Sequence, residues 1–498
     1  MTDVLSRETR MLSGNFDADL ELFREIFRRD ATFRVREFRA GMGNRCALLY
    51  LDGMVNTQLM NLSIVRPVML AEPASGDPAE RLSEHILFSN DVKSTGQVQD
   101  HLRGILYGDS VLLVEGASSG LVMNTKGWRT RGVSEPKNET VLQGPREGFD
   151  EAAMLNLAQL RRKLLTPDLC IELQRMGRRT DTPVFICYLG SLADPALVCQ
   201  VKKRLSEIDI DGILDSNYIN ELIRDRKYSL FKTCGSTERP DVVASKLLEG
   251  RVAIMVDGSP VVITVPYLFS ESFQSDEDYY LSFWVASVGR FFRYVCFFLT
   301  VSVPAFYLAF LLYHQRLLPT FFLLSAAQSR SGVPFSSVVE CLALILILEI
   351  LKETGARMPQ NLGHTLSIVG GLVVGQAAVE AKLVSAPMLI AVAISGIAGL
   401  MIPRLRAAVF YLRLMMVLLA SVLGLLGCFF GLTLMLIRMF SISSFGVSYM
   451  RSLEKPTLQG LKDTVMRLPW GMMIERPPFN QNLHRQKRQK QGDARHEK

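Results

Sequence analysis

The spacing of charges along the apolar residues divides the chain in two. Up to about Tyr280 a charged side chain recurs every few positions, whereas from Leu281 to Arg438 long stretches carry none. In the first part, Cys46–Leu51, Val111–Glu115 and Leu121–Thr125 are apolar runs of strand length, separated by turn-prone Asp52-Gly53 and by Gly116–Gly120. Residues 1–40 are polar and Arg-rich and read as helical. Phe149–Leu165 sets Met154, Leu155, Ala158 and Leu165 at three- and four-residue spacing, with Arg161 and Arg162 towards the end, which predicts an amphipathic helix. A buried strand at Thr182–Gly190 and a helix from Asp194 to about Ile208 follow. Pro240 can open a further helix that Gly250 would stop, and Val252–Val265 reads as a hairpin. Strands alternating with helices predict an α/β region of two subdomains, 1–135 and 136–280, meeting in the loop Arg131–Thr140.

The second part, 281–440, holds five apolar segments: Phe291–Tyr313, Val333–Leu351, Leu362–Glu380, Ala386–Pro403 and Leu414–Ile437. Tyr294–Tyr313 runs twenty residues without a charge, enough to cross a hydrocarbon core of about 30 Å. The shorter Leu317–Ala327 would be re-entrant or interfacial. The pattern predicts a soluble α/β region followed by an all-α polytopic membrane domain and a basic tail, 441–498. Met1–Asp17 lacks the apolar core of a signal peptide. Arg290 and Arg293 before the first segment, and Arg438 with the tail after the last, favour the cytoplasmic side for both ends. An even number of crossings follows, and Val333–Leu351, which carries Glu340 and Glu349, is the segment expected not to cross.

Composition adds little to this division. The net charge of +7 owes much to the tail His484–Lys498, which beside a membrane domain suits anionic lipid better than nucleic acid. Eight scattered cysteines have neither CxxC nor histidine spacing and read as reduced core residues, so no metal or cofactor is expected. Gly116–Gly120 matches the nucleophile-elbow pattern around Ser118, but a strand-like run follows where that elbow needs a helix, so a hairpin turn is the better reading. Phosphate-loop, zinc-protease and calcium-loop patterns are missing, and an enzyme is not expected.

The polar residues inside the apolar half are the candidate chemistry. Glu349 and Glu353 share a helical face and Glu340 lies roughly opposite; they belong either on an interfacial helix or facing a water-filled vestibule. Gly363, Ser367, Gly371 and Gly375 recur every four residues, a smooth stripe that lets another helix approach closely. Gly427 and Gly431 repeat that spacing. Gln376 and Glu380 add a polar edge, and with His364 and Lys382 the segment fits either tight packing or a helix lining a polar path between subunits.

Several ordered motifs resemble a known family. Ile368–Met388 ("IVGGLVVGQAAVEAKLVSAPM"), the Pro145-Arg146-Glu147 stretch, Glu238-Arg239-Pro240-Asp241, Asp257-Gly258-Ser259-Pro260 and the stretch Ser443–Met450 resemble the A subunits of bacterial spore germinant receptors, the GerA family. His364 stands where that family usually has an amide, and Ser448 where a proline is common. The resemblance implies a multi-pass subunit of the spore inner membrane, its N-terminal region facing the spore core. It implies work with a transporter-like B subunit, which would bind the nutrient germinant, and a lipoprotein C subunit. It further implies oligomerisation into a germinant-gated cation channel. A non-conducting, signal-transducing scaffold, or an accessory of the dipicolinate-release system, is the alternative.

Overall fold

The computed structural model describes residues 10–72, 77–127, 139, 143–226, 228–357, 375–451 and 463–473. It begins with helix α1 (Phe16–Ile26), capped by the Asn15 side chain, which accepts from the Asp17 and Ala18 amides. Strands β1 (Phe33–Arg39) and β2 (Arg45–Leu51) follow, then β3 (Val92–Thr95), α2 (Val98–Leu106), β4 (Ser110–Val114) and β5 (Gly120–Met123). The strands pair antiparallel in the order β1-β2-β4-β5-β3. Residues 33–39, expected to be helical, form the edge strand of this sheet: Phe33 and Val35 pack on one face, Phe38 packs on the other, and the arginines are exposed. Gly116–Gly120 turns between β4 and β5, as a hairpin requires, with Gly116 at φ 86°.

The second unit holds α3 (Ala153–Lys163), β6 (Leu169–Met176), β7 (Thr182–Leu189), α4 (Pro195–Ser206), α5 (Ser216–Leu222), β8 (Gly235–Thr237), α6 (Pro240–Leu248), β9 (Val252–Val256) and β10 (Val262–Val265). Its antiparallel sheet runs β6-β7-β9-β10-β8. Because alternate side chains leave a strand on opposite faces, β7 supplies two cores. Val184, Ile186 and Tyr188 pack under Leu197, Val201 and Leu205 of α4, while Phe185, Cys187 and Leu189 pack under α3 and α6. The buried face of α3 carries Leu157 and Leu160 beside Ala153 and the expected Ala158; Leu165 is exposed and Met154 and Leu155 are only half-buried, so the inward face is rotated from the one the spacing predicts. The displacement has a physical reason: Arg161 must point inward, where it pairs with buried Asp30 from the first unit. The Ala31 amide donates to the Ile171 carbonyl at 2.7 Å alongside, so the first unit is pinned to the edge of β6.

The described residues of the apolar half form helices α7 (Phe283–Leu312), α8 (Thr320–Arg330), α9 (Ser337–Arg357), α10 (Ala386–Leu400), α11 (Arg406–Leu423) and α12 (Leu425–Phe440). At 1.5 Å per residue the 30-residue α7 is about 45 Å long and packs on α10 and α11. Among the described residues, Phe283–Leu312 and Pro403–Leu423 are long and apolar enough to cross a membrane. Leu414–Ile437, expected as one span, is two helices folded back on one another. The chain reverses at Gly424 (φ 60°), where a Cβ would meet the Tyr313 ring at 3.0 Å. A short hairpin, β11 (Ser443–Ser444) and β12 (Val447–Ser448), follows α12.

Candidate functional site: a polar joint between sheet and helices

Three tethers converge where the second sheet meets the helices. The first is built on Glu271, in the single turn Phe269–Phe273 after β10. Its carboxylate accepts from Arg251 at 2.5 Å, from Lys246 Nζ at 2.8 Å and from the Leu268 amide at 2.8 Å. Burial opposes the charge, but Arg251 and Lys246 outweigh it and hold the carboxyl down at about 2. Arg251 also donates to the Pro266 carbonyl (2.7 Å) and to Glu249 (3.1 Å), so its fork is filled by protein oxygens.

The second tether grips the start of α7. Asp278 is buried and accepts from Arg290 Nε at 2.8 Å and from both terminal nitrogens of Arg293 at 2.8 and 2.9 Å. Arg290 donates onward to Asp463, at 2.7 Å to its carbonyl and 2.8 Å to its carboxylate. Arg467, from the same late segment, donates to the carbonyls of Asp278 (2.7 Å) and Leu281 (2.6 Å). The two arginines that suggested membrane orientation are thus the partners of a buried aspartate.

The third tether starts in the turn between α10 and α11. Arg404 donates to the carbonyls of Glu271 (3.2 Å) and Gln274 (3.0 Å) and to the Asp276 carboxylate (3.1 Å). Glu139 stands 4.0 Å away. Burial, with Asp276 alongside, pushes the Glu139 carboxyl up, against the Thr237 hydroxyl and Glu238 amide that donate to it at 2.6 and 3.0 Å. Arg239, fully buried, forks onto Asp241 (3.2 and 2.7 Å) and reaches the Pro145 carbonyl at 3.0 Å; Tyr280 Oη also donates to Asp241, at 2.5 Å. The Glu238–Asp241 and Pro145–Glu147 motifs therefore meet at this joint. Pro240 opens α6, Glu147 pairs with Lys163, and Arg146 is exposed.

Asp257–Pro260 works one layer away. Asp257 accepts from the Ala153 amide at 3.0 Å and so caps α3, the Gly258 amide donates to the Glu151 carbonyl at 2.8 Å, and Ser259 donates to Asp215 at the start of α5. Pro260 continues the turn to β10. On the other side, the β11–β12 hairpin pushes Phe445 (φ 50°) into the core under β7, with the Arg204 guanidinium 4.3 Å from its ring centre. Ser444 Oγ donates to the Thr233 carbonyl at 2.6 Å.

Within the helices, Glu349 lies 3.5 Å from Arg413 and 3.6 Å from Arg406, which also meets Glu353 at 3.2 Å. Arg413 is buried and donates to Ser395 Oγ at 3.3 Å. Glu349 thus neutralises the one fully buried charge of the group, Arg413, while Arg406 and Glu353 pair at the exposed edge. Glu340, on the opposite side of α9, accepts from the amide and hydroxyl of Ser385, both at 2.6 Å. Gly427 and Gly431 are filled from within the chain: a Cβ on Gly427 would stand 2.1 Å from the Leu419 carbonyl oxygen, and one on Gly431 2.4 Å from Met416 Sδ. Gly375 is more open, with Leu389 at 3.6 Å, and Gln376 and Glu380 beside it are exposed. Gly363, His364, Ser367 and Gly371 lie outside the described residues. Sequence reading missed Arg404, Asp276, Asp278, Glu271, Asp463 and Arg413. Arg413 had a visible signal, a lone cation within the apolar run Ala407–Ala420.

Comparison with known proteins agrees with the motifs. The family of Bacillus/Clostridium GerA spore germination proteins matches residues 21–479. The membrane protein YfkQ of Bacillus subtilis is 35% identical over 98% of this chain and 96% of its own length. Spore germination protein KA of the same organism is 37% identical over 89% of this chain and 82% of its own. The N-terminal domain of the A subunit of the Bacillus megaterium spore germinant receptor GerK3 is 32% identical, covers 52% of this chain and 98% of that domain, and superposes with a TM-score of 0.43.

Proposed function

Because the chain belongs to the GerA family of spore germination proteins, we propose that it is the A subunit of a nutrient germinant receptor in the spore inner membrane. In this reading its sheet region faces the spore core, a transporter-like B subunit binds the germinant and a lipoprotein C subunit completes the receptor. Copies of the A subunit assemble around a path through which cations leave, and the chain acts by assembly and movement rather than by catalysis.

The observation that carries this reading is the polar joint. Arg404, in the turn between α10 and α11, and the pair Arg290 and Arg293, at the start of α7, tie two points of the helical bundle to the segment Glu271–Asp278 that leaves the second sheet. Such a connection lets a displacement on either side reach the other, as a gated subunit needs. The exposed edge formed by Gln376 and Glu380 in an otherwise apolar half also calls for water or a neighbouring copy. The intrachain filling of Gly427 and Gly431 favours a second reading, a signal-transducing scaffold that conducts nothing itself.

The test is co-expression with B- and C-type partners, purification and reconstitution in planar bilayers. Germinant-dependent cation current with several A chains per complex is expected, and Glu380→Gln should change the current while assembly persists. A complex that responds to germinant with a single A chain and no current would leave the scaffold reading in its place.

A further inference from the structure

The start of α9 contains a carboxylate that is only half satisfied. Glu340 is 1% exposed; Oε1 takes both donors of Ser385, and Oε2, equally buried, has no partner among the described residues. Ser337, three residues earlier on the same helical face, is also 1% exposed with its hydroxyl unpartnered. From α7, the hydroxyl of Tyr307 is buried without a partner as well, and the charge of Glu340 bears on it. Three buried oxygens from two helices, one of them anionic, thus accept from or donate to none of the described residues, and Arg330 Nε, whose charge also bears on Tyr307, is buried without a partner as well. Leaving a buried polar atom unsatisfied costs about 1–3 kcal/mol, and more when it is charged.

We propose that Glu340 Oε2, Ser337 Oγ and Tyr307 Oη form a binding site for a monovalent metal cation. The donor set is all oxygen with a single negative charge, which suits sodium or potassium; calcium takes six to eight oxygens and magnesium demands a near-ideal octahedron. Arg330, whose Nε is buried without a partner, also bears on the Tyr307 hydroxyl, so the ion competes with a guanidinium and is held weakly. Ser385 fixes the carboxylate plane by holding Oε1, leaving Oε2 as the coordinating atom. Because Ser385 immediately precedes α10 and Glu340 sits on α9, an ion here would join three helices, α7, α9 and α10. The site does not require that the chain conduct, and binding is measured separately from current.

The test uses the full-length chain in detergent at constant ionic strength, with choline replaced stepwise by sodium or potassium. Either metal ion should raise the melting midpoint by a few degrees at about 100 mM. Glu340→Gln should abolish that rise. Ser337→Ala and Tyr307→Phe, which keep the carboxylate, should weaken radioactive sodium or rubidium uptake in equilibrium dialysis roughly tenfold each. Melting that ignores the cation in the wild type would overturn the proposal. So would binding that survives Glu340→Gln, or an Arg330→Gln chain that alone gains cation dependence, since Arg330 would then be the natural partner of the carboxylate.

Discussion

Replacing Glu271 with Gln removes one charge from the centre of the joint and changes almost nothing in shape. In the folded chain Glu271 holds its proton only below about 2, against 4.5 for an ordinary glutamate. Each tenfold change in proton affinity is worth about 1.36 kcal/mol, so the carboxylate contributes roughly 3 kcal/mol to folding at neutral pH. Truncating one member of a buried ion pair costs about 3–5 kcal/mol, which agrees. The sign follows from the depressed folded value. The contribution is complete above 4.5 and is lost as pH falls from there through about 2. Chemical denaturation of the full-length chain should therefore give a Glu271→Gln deficit of about 3 kcal/mol at pH 7 that narrows below about pH 4.5. Combining it with Arg251→Met should recover part of the loss, because Arg251 would no longer be stranded beside a neutral amide. A deficit under about 0.5 kcal/mol at pH 7, or one that is unchanged down to about pH 3, would refute this account of the joint.

Other expectations test different regions. Phe445→Ala should cost about 3–5 kcal/mol by emptying a core position under β7, and hydrogen exchange should quicken in 441–450 as the hairpin loses its hold. His101 is buried in the first unit, and burial lowers its pKa below 6.5. Its neutral form stabilises fully above pH 6.5 and loses ground below, so amide protection in β4 and β5 should fall on acidification, and the fall should vanish in His101→Gln. Gly427→Val should disrupt the α11–α12 hairpin even in an isolated chain, seen as a lowered melting midpoint, because its Cβ collides with backbone. Gly375→Val, facing open space beyond Leu389, should leave melting nearly unchanged and alter the elution volume of the assembled complex.

Much of the architecture was legible because local chemistry and tertiary role coincide. Pro240 and Gly250 bound α6, Asp194 caps α4, and Asp257–Pro260 turns the β9–β10 hairpin, all decided within a few residues. Where tertiary context overrides periodicity, the pattern misled. The Arg-rich 33–39 segment became a strand because β2 offered it an apolar edge. The inward face of α3 was set by one arginine bound for Asp30, and Gly424 divided a run whose hydropathy is continuous. The joint was harder still. Its arginines and aspartates look like ordinary solvated charges in sequence, and only the folded contacts reveal Asp278 and Arg290 as buried partners joined by Asp463. The Glu238–Asp241 motif could be found, but its task, holding Pro145 and Glu139 beside Arg404, depends on contacts about a hundred residues apart.

The clasp that Asp463 and Arg467 place over the start of α7 is closed by residues synthesised 173 positions after Arg290. While the ribosome is still making the apolar helices, Arg290 has only its near neighbours Asp278 and the Tyr279 ring to meet. This closure therefore waits until the chain has been made through Arg467, after every apolar helix has left the ribosome's active centre.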